Sequence, residues 1–239
     1  FRNIGLDIIY GTPGQTLEML QSDLNEIVKM APQHVSAYGL TIEKGTPLFA
    51  AYKKGAISLP SEDEILLMMS EVNTFLPSAG YARYEVSNYA RPGYEARHNI
   101  VYWSGGDYLG LGAGAHSLLV VYDSDRKQSA ERWSNYPGVE KYITEAVAYG
   151  KAQSWEETLA AENLMFEFFF LGLRKTAGVS NRDFRKVFNA DMFKLYPSTI
   201  EVLADQGLIR RDDDGICLTS RGFELADSVI ENFVKAENA

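Results

Sequence analysis

The chain has 239 residues, 46% of them hydrophobic and 23% charged, with a formal net charge of −9. That is the composition of a folded globular protein and excludes a disordered tail, a collagen-like rod and a low-complexity polymer. No apolar run approaches the roughly 20 residues of a transmembrane segment, and so acidic a chain has no bulk attraction to nucleic acid or an anionic membrane. The one cysteine, Cys217, leaves no disulfide framework within the chain and fits a cytoplasmic setting. The opening Phe1-Arg2-Asn3-Ile4-Gly5-Leu6-Asp7 is neither a signal peptide nor an initiator. It enters directly into a strand, as the middle of a longer protein would.

In chain order, Ile4 to Tyr10 reads as a buried parallel strand interrupted by Asp7. The turn cluster Gly11-Thr12-Pro13-Gly14-Gln15-Thr16 leads into a helix carrying Leu17, Leu20, Leu24, Ile27 and Val28, with Thr16 as N-cap. His34 to Ile42 is the next strand, so the opening predicts a βαβ unit in a parallel sheet. Ser61-Glu62-Asp63-Glu64 is a capping box ahead of an apolar face of Ile65, Met68, Met69, Val72, Phe75 and Leu76, which Gly80 is placed to end. Tyr84 to Ser87 reads as a strand. Tyrosines and then glycines crowd residues 81–118, and Tyr108 to Ser117 has the composition of a backbone that passes close to something.

Residues 121–155 read as polar and irregular, with a loop from Tyr122 to Lys127, a helix from Pro137 to Tyr149 and a linker from Gly150 to Ser154. The remainder changes character. Thr158 to Leu173 predicts an apolar helix, and Val179-Ser180 before Asp183-Phe184 predicts a capped helix with a hydrophobic staple. Pro197 to Asp205 is a further helix ended by Gly207, followed by a hairpin around an Asp-Gly turn and a last helix capped by Thr219, with Phe223, Ala226, Val229, Ile230 and Phe233 inward. Helices followed by a hairpin form a winged-helix pattern. A winged-helix regulator is disfavoured: residues 160–239 carry 10 Lys/Arg against 13 Asp/Glu, and the hairpin turn Asp212-Asp213-Asp214-Gly215 would repel phosphate. A structural or lid role suits it better.

Gly11-x-x-Gly14 lacks the Lys-Ser/Thr pair of a phosphate loop, and Pro13 removes an amide that such a cradle would use. It reads as a strand-to-helix turn, of the kind that lines active sites at the C-terminal edge of a barrel. A carboxylate inside an apolar strand is costly unless partnered. Asp7 is therefore either bonded internally to backbone or an arginine, or an acceptor for ligand hydroxyls. His98 has no Cys or His at zinc spacing. A neutral imidazole there could hold haem iron, with aromatic neighbours packed on the macrocycle. The bland reading is a histidine that ties a loop through hydrogen bonds.

Asp7-Ile8-Ile9-Tyr10-Gly11-Thr12-Pro13-Gly14-Gln15-Thr16 resembles a signature segment of the radical S-adenosylmethionine family of oxygen-independent coproporphyrinogen III oxidases. His34-Val35-Ser36-Ala37-Tyr38 with Glu43-Lys44-Gly45-Thr46-Pro47, Tyr84-Glu85-Val86-Ser87-Asn88-Tyr89-Ala90 and the glycine-rich segment ending at Ser117 follow in the family's order. Phe170-Leu171-Gly172-Leu173-Arg174 and Gly207-Leu208-Ile209 with Leu218-Thr219 resemble its C-terminal domain. His98-Asn99-x-x-Tyr102-Trp103 is similar to the signature of the family's haem-chaperone branch.

The resemblance implies an α/β fold: the later βα units of a partial (β/α) radical-SAM barrel with the glycine-rich segment over 1–120, a connecting segment over 121–155, and a helical, winged-helix-like domain over 156–239. It implies S-adenosylmethionine contacts at Asp7, Gly39, Gly112, Gly114 and His116. It implies haem binding at His98, with iron ligation there and Tyr102 and Trp103 flanking. The family's cysteine loop, which holds a [4Fe-4S] cluster, has no counterpart here, so the chain alone is expected to be inactive. The implied functions are haem delivery to an acceptor protein or, alternatively, oxidative decarboxylation of coproporphyrinogen III. Neither involves nucleic acid or a transmembrane segment.

Overall fold

The computed structural model describes residues 1–123 and 126–234. They form two compact units that divide between Ala96 and Arg97.

The first unit opens with strand β1 (Gly5–Tyr10), helix α1 (Leu17–Met30) and strand β2 (His34–Gly39). β1 and β2 pair in parallel, from Gly5 opposite His34 to Tyr10 opposite Gly39, as the βαβ pattern predicts. Thr16 caps α1 by accepting the Met19 amide, while Leu20, Leu24 and Ile27 face the core. A short helix that the sequence reading missed, α2 (Pro47–Lys53), follows; Thr46 is its N-cap, and Pro47 stands where a proline costs a helix nothing. Helix α3 (Glu62–Ser78) forms with the capping box intact: Glu64 N–H donates to Ser61 Oγ, and Ser61 N–H donates to Glu64 Oε2. Met68, Val72 and Leu76 bury its inner face.

Strands β3 (Ala82–Arg83) and β4 (Asn88–Ala90) complete a four-stranded sheet in the order β1-β2-β4-β3. The expected strand over 84–87 is instead the connection between these two. Both added pairings are antiparallel, so the parallel run stops at β2. Leu6, Ile8, Tyr10, Val35 and Tyr89 share one hydrophobic cluster with the apolar residues of α1 and α3.

The second unit begins with helix α4 (Arg97–Trp103) and a three-stranded antiparallel sheet of β5 (His116–Asp123), β6 (Arg126–Asn135) and β7 (Gln153–Ala160), in that order. Helix α5 (Val139–Tyr149) lies between β6 and β7 in sequence and ends at Gly150 in the left-handed conformation. This corrects the reading of 121–155 as irregular: β6 is the sheet's central strand, although its sequence is charged. Residues 124 and 125 of the expected loop lie outside the described residues. The expected linker at 150–154 contains buried Ala152 and already enters β7 at Gln153.

Helix α6 (Ala161–Gly172) starts three residues later than its apolar run, because Thr158 to Ala160 remain in β7. Then come β8 (Val179–Ser180), α7 (Asn181–Phe188), α8 (Met192–Leu195), α9 (Pro197–Asp205), β9 (Ile209–Arg211) and β10 (Gly215–Leu218). The strands pair as β8-β10-β9, a winged-helix arrangement. Ser180 caps α7, and Val179 and Phe184 sit in one core as the staple predicts.

The β9–β10 turn is closed by Asp212 Oδ1, which accepts the Asp214 and Gly215 amides, so it is an aspartate-locked turn rather than a two-residue Asp-Gly turn. The last helix is broken into α10 (Ser220–Glu224), α11 (Ala226–Ile230) and a 3₁₀ turn (Glu231–Phe233); Val229, Ile230 and Phe233 are buried as expected. Among the described residues no helix is long and apolar enough to cross a membrane.

Candidate functional site

In the first unit, the sheet face opposite the helices carries a polar row. Register places Asp7 beside Ser36 and Ser36 beside Asn88, one row across three strands. Asp7 is exposed and accepts no hydrogen bond from a described residue, which overturns the reading of a buried, internally bonded carboxylate. Its strand neighbours Ile8 and Tyr10 are buried while Gly5 and Ile9 share its exposure. Gly39 is also exposed, at the end of β2.

His34 lies in the neighbouring row, and its Nε2 is 2.8 Å from Tyr84 Oη. Burial lowers the imidazole's proton affinity, partly offset by the negative charge of Asp7. Deeper, Glu85 is 1% exposed and its Oε1 accepts from the side-chain amide of Asn88 and from the Ser87 backbone at 3.2 Å. Glu85 Oε2 and Asn88 Oδ1 are buried without hydrogen-bond partners among the described residues. Burial pushes the Glu85 carboxyl above its ordinary range, against the opposing hydrogen bond from Asn88. The sequence reading quoted Glu85 and Asn88 in a motif but gave neither a role. A carboxylate in a connection and an amide three residues on, at the start of β4, carry no sequence signal of burial.

In the second unit, the glycine-rich segment folds back on its own chain. Tyr108 and Leu118 exchange both backbone hydrogen bonds, at 3.0 and 2.9 Å, and close the loop. The close approach expected there is internal: a Cβ on Gly110 would lie 2.1 Å from the His116 carbonyl oxygen. Gly112 needs its φ of +107°, open to glycine and strained for other residues. Asn135 Nδ2 donates to the Gly112 carbonyl at 2.9 Å, and Tyr142 Oη accepts the Gly112 amide at 3.2 Å. The Gly114 amide donates to the Tyr136 carbonyl at 2.9 Å. The sequence reading missed this clamp, because Asn135 and Tyr142 are more than 20 residues from the glycines.

His98, Asn99, Tyr102 and Trp103 all lie on α4. His98 is exposed and one turn from Tyr102. Tyr102 and Trp103 meet edge to face at 5.1 Å. They nevertheless line different cavities. Trp103 borders one of about 660 Å³ with Ser104, Phe168, Leu171, Lys175 and Lys186. Tyr102 borders another of about 460 Å³ with Tyr108, His116, Trp155 and Phe170. His116 is thus placed with Tyr102, an association absent from the sequence reading.

No group of three or more His, Cys, Asp or Glu suited to a metal ion occurs among the described residues. Cys217, on β10, is the only cysteine in the sequence, so this chain's own residues do not fit a [4Fe-4S] cluster. The exposed carboxylate of Asp7, in a polar row on an open face, does fit a small polar ligand such as S-adenosylmethionine.

Residues 159–225 match the HemN C-terminal domain. The chain is 37% identical to "Heme chaperone HemW" of Lactococcus lactis over 98% of its own length and 59% of that protein's. It is 30% identical to "Radical S-adenosyl methionine domain-containing protein 1, mitochondrial" of Danio rerio, over 95% of this chain and 52% of that one. The fold is similar to that of the coproporphyrinogen III oxidase HemN from Escherichia coli, described as a radical SAM enzyme, with a TM-score of 0.72 at 22% identity over 96% of this chain and 54% of that one. The chain thus spans about half to three-fifths of the length of these relatives. Sequence, domain match and fold point the same way: residues 159–225 match the HemN C-terminal domain, the chain as a whole is similar to the HemW proteins, and its fold is similar to that of HemN.

Proposed function

We propose that the protein carrying this chain is a haem chaperone that binds haem and hands it to an acceptor protein. The observation that carries this is His98-Asn99-x-x-Tyr102-Trp103 on a single helix, with the histidine exposed to an incoming ligand, in a chain 37% identical to a HemW protein. His98 would ligate the iron, with Tyr102 and Trp103 supplying aromatic surface.

Asp7 and Gly39 of the first unit are proposed as S-adenosylmethionine contacts; Gly112, Gly114 and His116 of the second unit are proposed as contacts on the family resemblance alone. S-adenosylmethionine and a [4Fe-4S] cluster are proposed for the whole protein, with the cluster on ligands outside this chain's sequence. Of the expected divisions 1–120, 121–155 and 156–239, the last is carried forward, supported by the HemN C-terminal match over 159–225. A cytoplasmic setting is supported by the single cysteine.

The second reading, coproporphyrinogen III oxidase, is favoured by the fold likeness to HemN and by the HemN C-terminal domain match. Haem titration and coproporphyrinogen III turnover on the full-length protein separate the two. Stable haem uptake without decarboxylation supports the chaperone, and turnover overturns it. His98→Ala should lose the haem Soret band or shift its position; an unchanged spectrum and affinity would make His98 structural.

A further inference from the structure

The cavity bordered by Trp103 contains a cation with no counter-charge in contact among the described residues. Lys175 follows α6 and is half-buried, and its Nζ donates to Ser104 Oγ at 3.3 Å. No carboxylate lies within ion-pair distance of it among the described residues. Its neighbour Arg174 is satisfied by Asp227 at 2.5 Å.

The acids bordering the cavity do not supply the missing charge. Glu167, on α6, is engaged by Arg132. Asp183, on α7, is exposed and acts on Lys175 only from beyond contact distance. Lys186, one turn further along α7, brings a second ammonium to the same cavity. Burial lowers the proton affinity of Lys175, as expected for an ammonium partly removed from water with no carboxylate in contact. In a chain of net charge −9, two lysines converge on a cavity walled by Trp103, Phe168 and Leu171.

A half-buried ammonium beside aromatic and aliphatic walls suits a ligand with a flat apolar body and a carboxylate at its edge. The volume of about 660 Å³ is within the range of small-molecule and cofactor sites. The neighbouring cavity bordered by Tyr102 lacks this feature, since its one cationic side chain, Arg132, is paired with Glu167 and, at 3.8 Å, with Glu157.

We propose that Lys175, with Lys186 at the cavity mouth, is the carboxylate anchor of this cavity and receives a propionate of a tetrapyrrole whose ring lies against Trp103. The assignment rests on the haem reading above for the identity of the ring. The recognition step itself is a charge-assisted hydrogen bond between ammonium and carboxylate.

The test uses the full-length protein with three probes: ferric protoporphyrin IX, its dimethyl ester, and metal-free protoporphyrin IX. Binding is followed by the Soret band and by quenching of tryptophan fluorescence. The wild type should bind the free acids about tenfold or more tightly than the ester. Lys175→Met should abolish that preference, leaving affinity for the ester and the Soret position unchanged, and Lys175→Arg should retain it. A wild type that does not distinguish acid from ester overturns the anchor without any substitution, as does a folded Lys175→Met that keeps the preference. If the wild type refuses the ferric probe but takes the metal-free acid in a Lys175-dependent way, haem delivery falls and the anchor stands. If it binds none of the three, both fall.

Discussion

Glu85 and Asn88 are joined on one side and unsatisfied on the other: the Asn88 amide donates to Glu85 Oε1, while Glu85 Oε2 and Asn88 Oδ1 are both buried without a partner among the described residues. Two acceptors left over from one acid–amide contact are what a single proton on Oε2 would reconcile. Burial holds the Glu85 carboxyl above its ordinary value of 4.5, the direction that favours that proton. The folded state therefore binds the proton more tightly than the unfolded chain. The stabilisation is full below about pH 4.5 and is lost as pH rises through the folded value. Glu85→Gln supplies a permanent donor and should raise stability at pH 7 by about 1 kcal/mol while flattening the pH dependence. Urea unfolding across the pH range reads this; an unchanged slope would mean that Glu85 ionises freely in the fold.

His34 has the opposite sign. Burial lowers its proton affinity below the ordinary 6.5, so the unfolded chain takes up the proton first as pH falls. Its contribution is fully present above pH 6.5 and is lost as pH drops through the folded value. His34→Gln should remove this acid-side loss while leaving stability near pH 8 within about 1 kcal/mol, because a glutamine can still meet Tyr84 Oη. Thermal melts at closely spaced pH values distinguish the variant from the wild type.

The glycine-rich loop predicts an ordering of substitutions. Gly110→Ala drives a Cβ to 2.1 Å from the His116 carbonyl oxygen and should cost about 3 kcal/mol by overpacking, disrupting the Tyr108–Leu118 closure. Gly112→Ala meets no atom within 4 Å and should cost only the backbone strain of a positive φ, about 1 kcal/mol. Asn135→Ala removes the donor to the Gly112 carbonyl and should fall between them. Denaturant midpoints of the three variants give the ranking directly, and equal losses would argue against a clash-limited loop.

The Asp7 carboxylate has no hydrogen-bond partner to lose among the described residues. Asp7→Asn should therefore change stability by less than about 0.5 kcal/mol, as expected of an exposed side chain. The same substitution should weaken S-adenosylmethionine binding by the full-length protein at least about tenfold if the carboxylate touches the cofactor. Calorimetric titration beside a melting curve separates contact from folding; unchanged affinity removes Asp7 from the site.

What was legible in the sequence followed from local chemistry. Ser61 and Glu64 satisfy each other within one turn, Thr16, Ser180 and Thr219 each cap the helix they precede, and the period of Leu20, Leu24 and Ile27 needs no distant partner. What was hidden depends on pairing between remote segments. β6 carries Arg126, Lys127, Glu131 and Arg132, and among its described side chains only Ala130 is completely buried, so its strand character comes from β5 and β7 on either side. Asp7 read as a buried charge because Ile8 and Tyr10 are apolar, yet strand alternation turns it to the open face. Lys175 gave no signal at all, since its distinction is the absence, among the described residues, of a carboxylate in contact with it.

β1 pairs only with β2 among the described residues, which leaves it at the rim of the sheet with Ile9 52% exposed. For the 239-residue chain taken by itself, a hydrophobic rim strand invites another chain to dock onto its free amides and carbonyls and propagate into insoluble assemblies. In the run Ile4-Gly5-Leu6-Asp7-Ile8-Ile9-Tyr10, Asp7 is the only charge, and it also guards solubility. Replacing it with valine would erase that guard, so a loss of soluble protein in such a variant would report self-association at the rim rather than a lost ligand contact.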